Sequence, residues 1–123
     1  MTFNIKWEKK GVCVRFRGVV TAQELIDSNN YLISDVNFDI IDYQIFDLLE
    51  IEDFKVTPYD ISIIGSIDKS QTEFKKDMKV AIVTQDDYVK DIIKEYEEIM
   101  IGSNWITKIF DNYESALKWA RSK

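Results

Sequence analysis

The sequence has no histidine and a single cysteine, Cys13, among its 123 residues. Without histidine the chain cannot form a Ser-His-Asp triad or a Cys-His dyad, and it lacks the imidazole ligands of most catalytic zinc sites. One thiol also excludes an internal disulfide and a multi-thiol zinc site. Cys13 lies in the alternating segment GVCVRFRG, which is typical of a half-buried strand position. We therefore expect no catalytic residue, no cofactor and no metal, and we expect that the protein is not an enzyme.

Glycine and long apolar runs are also scarce. The four glycines, at positions 11, 18, 65 and 102, form neither a GxGxxG motif nor a Walker loop, so no nucleotide-binding motif is present. The run VAIV at 80–83 is far shorter than the roughly 20 residues that cross a bilayer. The N-terminal MTFNIKWEKK lacks the apolar region of a secretory signal. These features predict a cytoplasmic protein without a membrane span.

Positive charge is in the minority, with 16 Lys and Arg against 22 Asp and Glu and a formal net charge of -6. Nucleic-acid binding depends on clustered basic side chains that release counterions from phosphates, so we expect no nucleic-acid partner. The densest basic segment, KWEKKGVCVRFRG, fits the solvated positions of a hairpin, with Arg15 and Arg17 on one face. The negative charge instead favours basic protein partners.

What the sequence does contain is globular composition, with 46% hydrophobic and 31% charged residues. The length fits one domain over residues 1–123, and no repeat or linker interrupts it. Alternation predicts an opening hairpin of strands at 3–8 and 11–17. A first helix follows at about 21–35, beginning with a capping box in which Thr21 and Glu24 bind free amides of the first turn. DYQIFDLLEI at 42–51 is apolar on both faces, as an interior strand is.

The second half alternates helices and strands. Thr57 is predicted as the N-cap and Pro58 as the first residue of a second helix, despite Gly65 and several β-branched residues in it. The strand MKVAIVTQ precedes a helix that Asp86 and Asp87 open and Gly102 closes. WITKIF is a last strand, and Asp111-x-x-Glu114 caps a last helix. The order ββαβαβαβα predicts an α/β fold: a mixed sheet with an N-terminal hairpin, then parallel crossovers, and about four flanking helices.

The element order, the segment KVAIVTQDD and the ending WITKIFDNYESALKWARS resemble the SpoIIAA-like group of the STAS superfamily. These are small bacterial domains related to anti-sigma-factor antagonists and, distantly, to Sec14-type lipid-binding modules. The resemblance covers nearly the whole chain and implies a SpoIIAA-like fold. In phosphorylation-controlled members, a serine or threonine stands at the start of the helix after the central strand, usually in an Asp-Ser-Ser-Gly type sequence. The resemblance places Thr57 there, although DLLEIEDFKVTPYDI has neither the serine pair nor the glycine.

Thr57 therefore has two interpretations, a plain helix cap or a phospho-acceptor. A phosphate at a helix N-terminus faces free amides, which favours it. The nearby carboxylates Glu50, Glu52, Asp53 and Asp60 oppose a second anion. Asp47 is a second candidate, as a pocket or switch carboxylate, because it interrupts an apolar strand and a buried carboxylate there is expected to have a raised pKa. The acidic residues of this region match no EF-hand loop.

Two functions remain open. The first is a non-catalytic regulatory or protein-interaction module that binds a protein partner or itself, as a homodimer. The second is a carrier in which helices flanking the sheet open a pocket for a small apolar or lipid-like ligand, as the distant Sec14 resemblance implies.

Overall fold

A computed structural model describes residues 2–74 and 77–123. It has the predicted element order, with a short 3₁₀ helix at Val36–Ile40 inserted before the third strand. The strands are β1 (Phe3–Trp7), β2 (Gly11–Thr21), β3 (Tyr43–Lys55), β4 (Met78–Val83) and β5 (Trp105–Phe110). The helices are α1 (Ala22–Ser34), α2 (Pro58–Gln71), α3 (Asp87–Met100) and α4 (Tyr113–Arg121). None of the helices in the described ranges is long and apolar enough to span a bilayer.

The five strands form one sheet in the order β1-β2-β3-β4-β5. β1 and β2 are antiparallel, and the three remaining pairs are parallel, as the hairpin and crossover pattern predicts. The apolar side chains of α1, α2 and α3 join the larger core cluster on one face of the sheet. On the other face, α4 covers a smaller cluster that includes Cys13, Ile45 and Val83. Cys13 is consequently buried rather than half-buried, and burial raises the pKa of its thiol.

β2 and β3 are longer than the sequence pattern predicts. β3 pairs with β4 from Tyr43 to Asp47, and its pairing with β2 continues to Lys55. Two register shifts, between Arg15 and Arg17 and between Gly18 and Val19, interrupt the pairing of β2 with β3. Bulges of this kind break the strict alternation of apolar and polar residues, which is why the sequence pattern predicts the strand only as far as Ile51 and does not extend it over EDFK.

The helix starts agree with prediction except at two places. At α1, the Thr21 oxygen accepts a hydrogen bond from the Glu24 amide, but the Glu24 carboxylate accepts from the amide and hydroxyl of Thr2 and does not close a capping box. The predicted capping box is therefore wrong for Glu24. Thr21, the last residue of β2, caps α1 as predicted. At α4, Asn112 and not Asp111 is the cap, accepting from the Ser115 amide at 2.8 Å. Asp86 caps α3 as predicted.

α2 and α3 pack closely because α2 contains a glycine. A Cβ placed on Gly65 would lie 2.9 Å from Cδ1 and 3.0 Å from Cγ2 of Ile99 on α3. The glycine lowers helix propensity, and the close helix contact that it allows explains its place inside α2. The residues of α2 that face the core are Ile61, Ile64, Gly65 and Asp68.

Candidate functional site

Thr57 lies at the exposed start of α2, two residues after the end of β3. Its hydroxyl oxygen accepts a hydrogen bond from the Asp60 amide at 3.1 Å, and the Asp60 carboxylate accepts from the Thr57 amide at 3.0 Å. This reciprocal capping box, with Pro58 as the next residue, accounts for the helix start that the sequence predicts. The hydroxyl remains on the surface, and acceptance of a phosphate there stays a prediction.

Asp47 lies on the other face of the sheet. Its Oδ2 accepts a hydrogen bond from Nε of Arg15 at 3.1 Å, and its Oδ1 accepts from the Leu49 amide at 3.0 Å. The side chain is 5% exposed, whereas that of Arg15 is 46% exposed. The Asp47 carboxylate therefore accepts two hydrogen bonds at the point where the pairing of β3 with β4 ends. Asp47 and Thr57 share no hydrogen-bond partner within the described ranges, so the fold does not combine them into one site.

The outer side of α2 is unusually apolar for an exposed helix face. Tyr59, Ile63 and Ile67 recur every four residues and form one stripe, with exposed fractions of 72%, 41% and 41%. Asp68, and not Ile67, completes the inward face of α2. We call the stripe of Tyr59, Ile63 and Ile67 the α2 outer face. Because α2 also buries Ile61 and Ile64, it is apolar on two sides.

No charged side chain interrupts the α2 outer face between Asp60 and Lys69. The hydroxyls of Ser62 and Ser66 donate to carbonyls of the same helix, at 2.6 and 2.8 Å. Their protons are therefore already hydrogen-bonded within α2. The neighbouring helix α3 is acidic on its exposed side, with Lys94 among the carboxylates Asp87, Asp91, Glu95 and Glu98. The stripe is thus an apolar surface on a helix that packs against an acidic one.

A cavity lies beneath α2, between the helices and the sheet. The centre of a water-sized molecule can move through about 50 Å³ inside it. Its walls come from α1, α2, α3, β3 and β4, and most of them are apolar: Leu25, Phe46, Leu48, Phe54, Ile61, Ile64, Val80, Ile82 and Ile93. Asn29, Asp68 and Tyr96 supply its polar groups. Asp47 does not line it.

Asp68 is the buried carboxylate that sequence reasoning missed. Its Oδ2 accepts a hydrogen bond from the Tyr96 hydroxyl at 2.6 Å, and its Oδ1 accepts from Nδ2 of Asn29 at 3.1 Å. Burial raises the pKa of Asp68 from 3.8 to about 6, although the Tyr96 hydrogen bond acts in the opposite direction. The only sequence signal was an acidic residue at an inward position of the α2 periodicity.

The residues in the described ranges contain no group of three His, Cys, Asp or Glu side chains placed to hold a metal ion. Carboxylates are abundant in the chain, but of those in the part that the structure describes only Asp68 lines the cavity. What the arrangement offers is therefore an exposed apolar surface on α2, a capped hydroxyl at its start, and a buried carboxylate behind it.

The sequence matches no protein-family model and no curated protein. Solved structures of similar fold include the following two. An uncharacterized protein of the DUF3478 family from Shewanella loihica PV-4, with a SpoIIAA-like fold, has a TM-score of 0.57 and 20% identity, covering 96% of this chain and 91% of that one. The anti-sigma factor antagonist SpoIIAA in its unphosphorylated form has a TM-score of 0.63 and 10% identity, covering 98% and 99%. The fold predicted from the sequence is thereby confirmed: this chain has the SpoIIAA-like fold.

Proposed function

We propose that the protein is a non-catalytic regulatory module that acts by binding a basic protein partner through the α2 outer face. The observation that carries the proposal is the exposure of Tyr59, Ile63 and Ile67 on a helix that already buries its opposite side. Contiguous apolar surface rimmed by polar groups is typical of protein-binding sites. SpoIIAA, similar in fold, is described as an anti-sigma factor antagonist, and a regulatory role for this chain is consistent with that.

The negative charge of the protein favours a basic partner. The chain has a net charge of -6, and exposed carboxylates of α3, among them Asp91 and Glu95, belong to the helix beside the stripe. A second copy that docked face to face would bring like charges together, whereas a partner with Lys or Arg flanking its apolar residues would be attracted. A different, basic protein therefore fits this surface better than a homodimer does. We propose that this interaction takes place in the cytoplasm, the compartment that the sequence predicts.

The test is a quantitative comparison of proteins co-purified from the native cells with the wild type, with Ile63→Lys and with Ile106→Lys. Ile106 on β5 is a matched control, because it is 59% exposed and follows Trp105, whose side chain faces the α1–α3 side of the sheet. Its own side chain consequently points to the opposite face. We expect a basic protein with the wild type and with Ile106→Lys, and its loss with Ile63→Lys. Equal recovery with all three would contradict the proposal. So would a wild-type dimer in light scattering that Ile63→Lys, but not Ile106→Lys, converts to a monomer.

Thr57 is proposed as a phospho-acceptor that regulates the same interface, because its hydroxyl stands at the solvent-exposed start of the helix that carries the stripe. A phosphate there would add about two negative charges two residues before Tyr59. With a basic partner, that charge would strengthen binding. Thr57→Glu and Thr57→Ala should then differ in partner affinity, and equal binding by the two variants would end the switch hypothesis.

A further inference from the structure

The carboxylate of Asp68 lies between two concave spaces. On one side is the apolar cavity, in which about 50 Å³ is open to the centre of a water-sized molecule. On the other is a smaller void of about 10 Å³, lined in part by Asn29, Gln44 and Trp105. The Asp68 residue is only 7% exposed, and the described residues place no Lys or Arg in an ion pair with it. A buried carboxylate thus borders open space without a compensating cation.

The Asp68 carboxylate can accept more hydrogen bonds than it does. A carboxylate accepts about four hydrogen bonds, and Asp68 receives one from Tyr96 and one from Asn29. A buried charge is expensive unless it is paired and fully hydrogen-bonded, so the present arrangement opposes stability when Asp68 is ionised. Carboxylates held in this way in a concave, mostly apolar space are typical of ligand sites.

We propose that this cavity binds a small primary amine, with its ammonium group on the Asp68 carboxylate and a short aliphatic tail against Leu48, Phe54 and Ile61. The ammonium supplies the donors and the positive charge that the site lacks. The walls beyond the carboxylate are apolar, which excludes a second charged group on the ligand. The size of the cavity limits the ligand to a few non-hydrogen atoms and excludes a full-length lipid.

Entry is possible on the side of α1. Leu25 and Asn29, the cavity residues that α1 contributes, are only partly buried, and Ser28 and Leu32 are the only fully buried residues of that helix. α1 therefore loses less buried apolar area by shifting than α3, which buries Val89, Ile92, Ile93, Tyr96 and Met100. This site is independent of the α2 outer face, and failure of one proposal leaves the other standing.

The experiment is a titration of the ¹⁵N-labelled protein, followed by amide chemical shifts, with n-butylamine, n-butanol and butyrate at about pH 7.5. We expect saturable shifts at the cavity residues with butylamine and a dissociation constant of about 1 mM, within what five non-hydrogen atoms can supply. Butanol should bind about tenfold more weakly and butyrate should not bind, because neither brings a positive charge to Asp68. Asp68→Asn should remove the preference for the amine over the alcohol.

Two controls separate this site from non-specific attraction to an acidic protein. Asp47→Asn removes a buried carboxylate on the other face of the sheet, and butylamine should bind this variant as it binds the wild type. At about pH 5, below the pKa of Asp68, butylamine should lose about tenfold in affinity while butanol does not. Among the described residues that line the cavity, Tyr96 is the only other titratable side chain, and it stays neutral at both pH values. Equal binding of amine and alcohol by the wild type, shifts confined to surface carboxylates, or no saturable shift would each overturn the proposal.

Discussion

Tyr96 of α3 and Asp68 of α2 are joined inside the core by a hydrogen bond of 2.6 Å, in which the phenol donates to the carboxylate. Burial of both groups raises both pKa values, that of Tyr96 well above its ordinary value and that of Asp68 to about 6. At neutral pH the pair therefore consists of a neutral phenol and an ionised carboxylate. Asn29 of α1 adds a second donor, so three helices meet at one buried charge.

This arrangement makes stability depend on pH in a direction opposite to that of a salt-bridged carboxylate. The unfolded chain releases the Asp68 proton near 3.8, whereas the folded protein keeps it up to about 6. Between these values the native state binds more protons, so the free energy of unfolding falls as pH rises. The loss amounts to about 3 kcal/mol above pH 6, since one pKa unit corresponds to about 1.4 kcal/mol.

Asp68→Asn should abolish this dependence. The amide oxygen can still accept from Tyr96, and no charge is buried. We expect the variant to be more stable than the wild type by about 1 to 3 kcal/mol at pH 7, with the difference shrinking towards pH 4. Urea unfolding of both proteins across this range measures the difference directly. A difference that is constant with pH would mean that Asp68 titrates normally.

Tyr96→Phe should destabilise the protein, whereas Asp68→Asn should stabilise it. It removes a donor from a buried charged acceptor, which costs about 1 to 3 kcal/mol. Because the Tyr96 hydrogen bond lowers the pKa of Asp68, its loss should raise that pKa further. The destabilisation should be greater above pH 6 than below it. In the Asp68→Asn background the same substitution should cost less, and identical costs in both backgrounds would show that the two side chains are not coupled.

Gly65→Ala tests the close packing of α2 on α3. Alanine favours a helix by about 1 kcal/mol, but overpacking against Ile99 costs about 1 to 3 kcal/mol. We expect a net loss of stability in the wild-type background. Ile99→Ala removes the obstructing atoms, and in that background Gly65→Ala should stabilise the protein. Stabilisation in both backgrounds would contradict the close contact.

Thr57→Ala should lower the free energy of unfolding by about 1 kcal/mol, because it removes the acceptor of the Asp60 amide in the capping box. Thr57→Ser keeps the oxygen and is the matched control, with a change of a few tenths of a kcal/mol. Chemical denaturation measures both. Equal stability of the alanine and serine variants would show that the cap contributes little.

The sequence predicted the features that depend on local pattern. The order of elements, the antiparallel hairpin and the Thr57 cap follow from alternation, helical spacing and capping chemistry within a few residues. The features it missed depend on contacts between distant residues. Glu24 binds Thr2, which is 22 positions away, and Asp68 binds Asn29 and Tyr96, which are 39 and 28 positions away. The exposure of Ile63 and Ile67 likewise depends on how α2 turns against α3.

The most direct test of the proposed function is photo-crosslinking in the native cells with a benzoylphenylalanine at position 63 or at position 106. Both positions are exposed isoleucines in the wild type, at 41% and 59%. If a basic partner binds the α2 outer face, position 63 should give a covalent adduct with one basic protein and position 106 should not. Adducts at both positions in equal amount, or at position 106 alone, would contradict a partner-binding role for this helix.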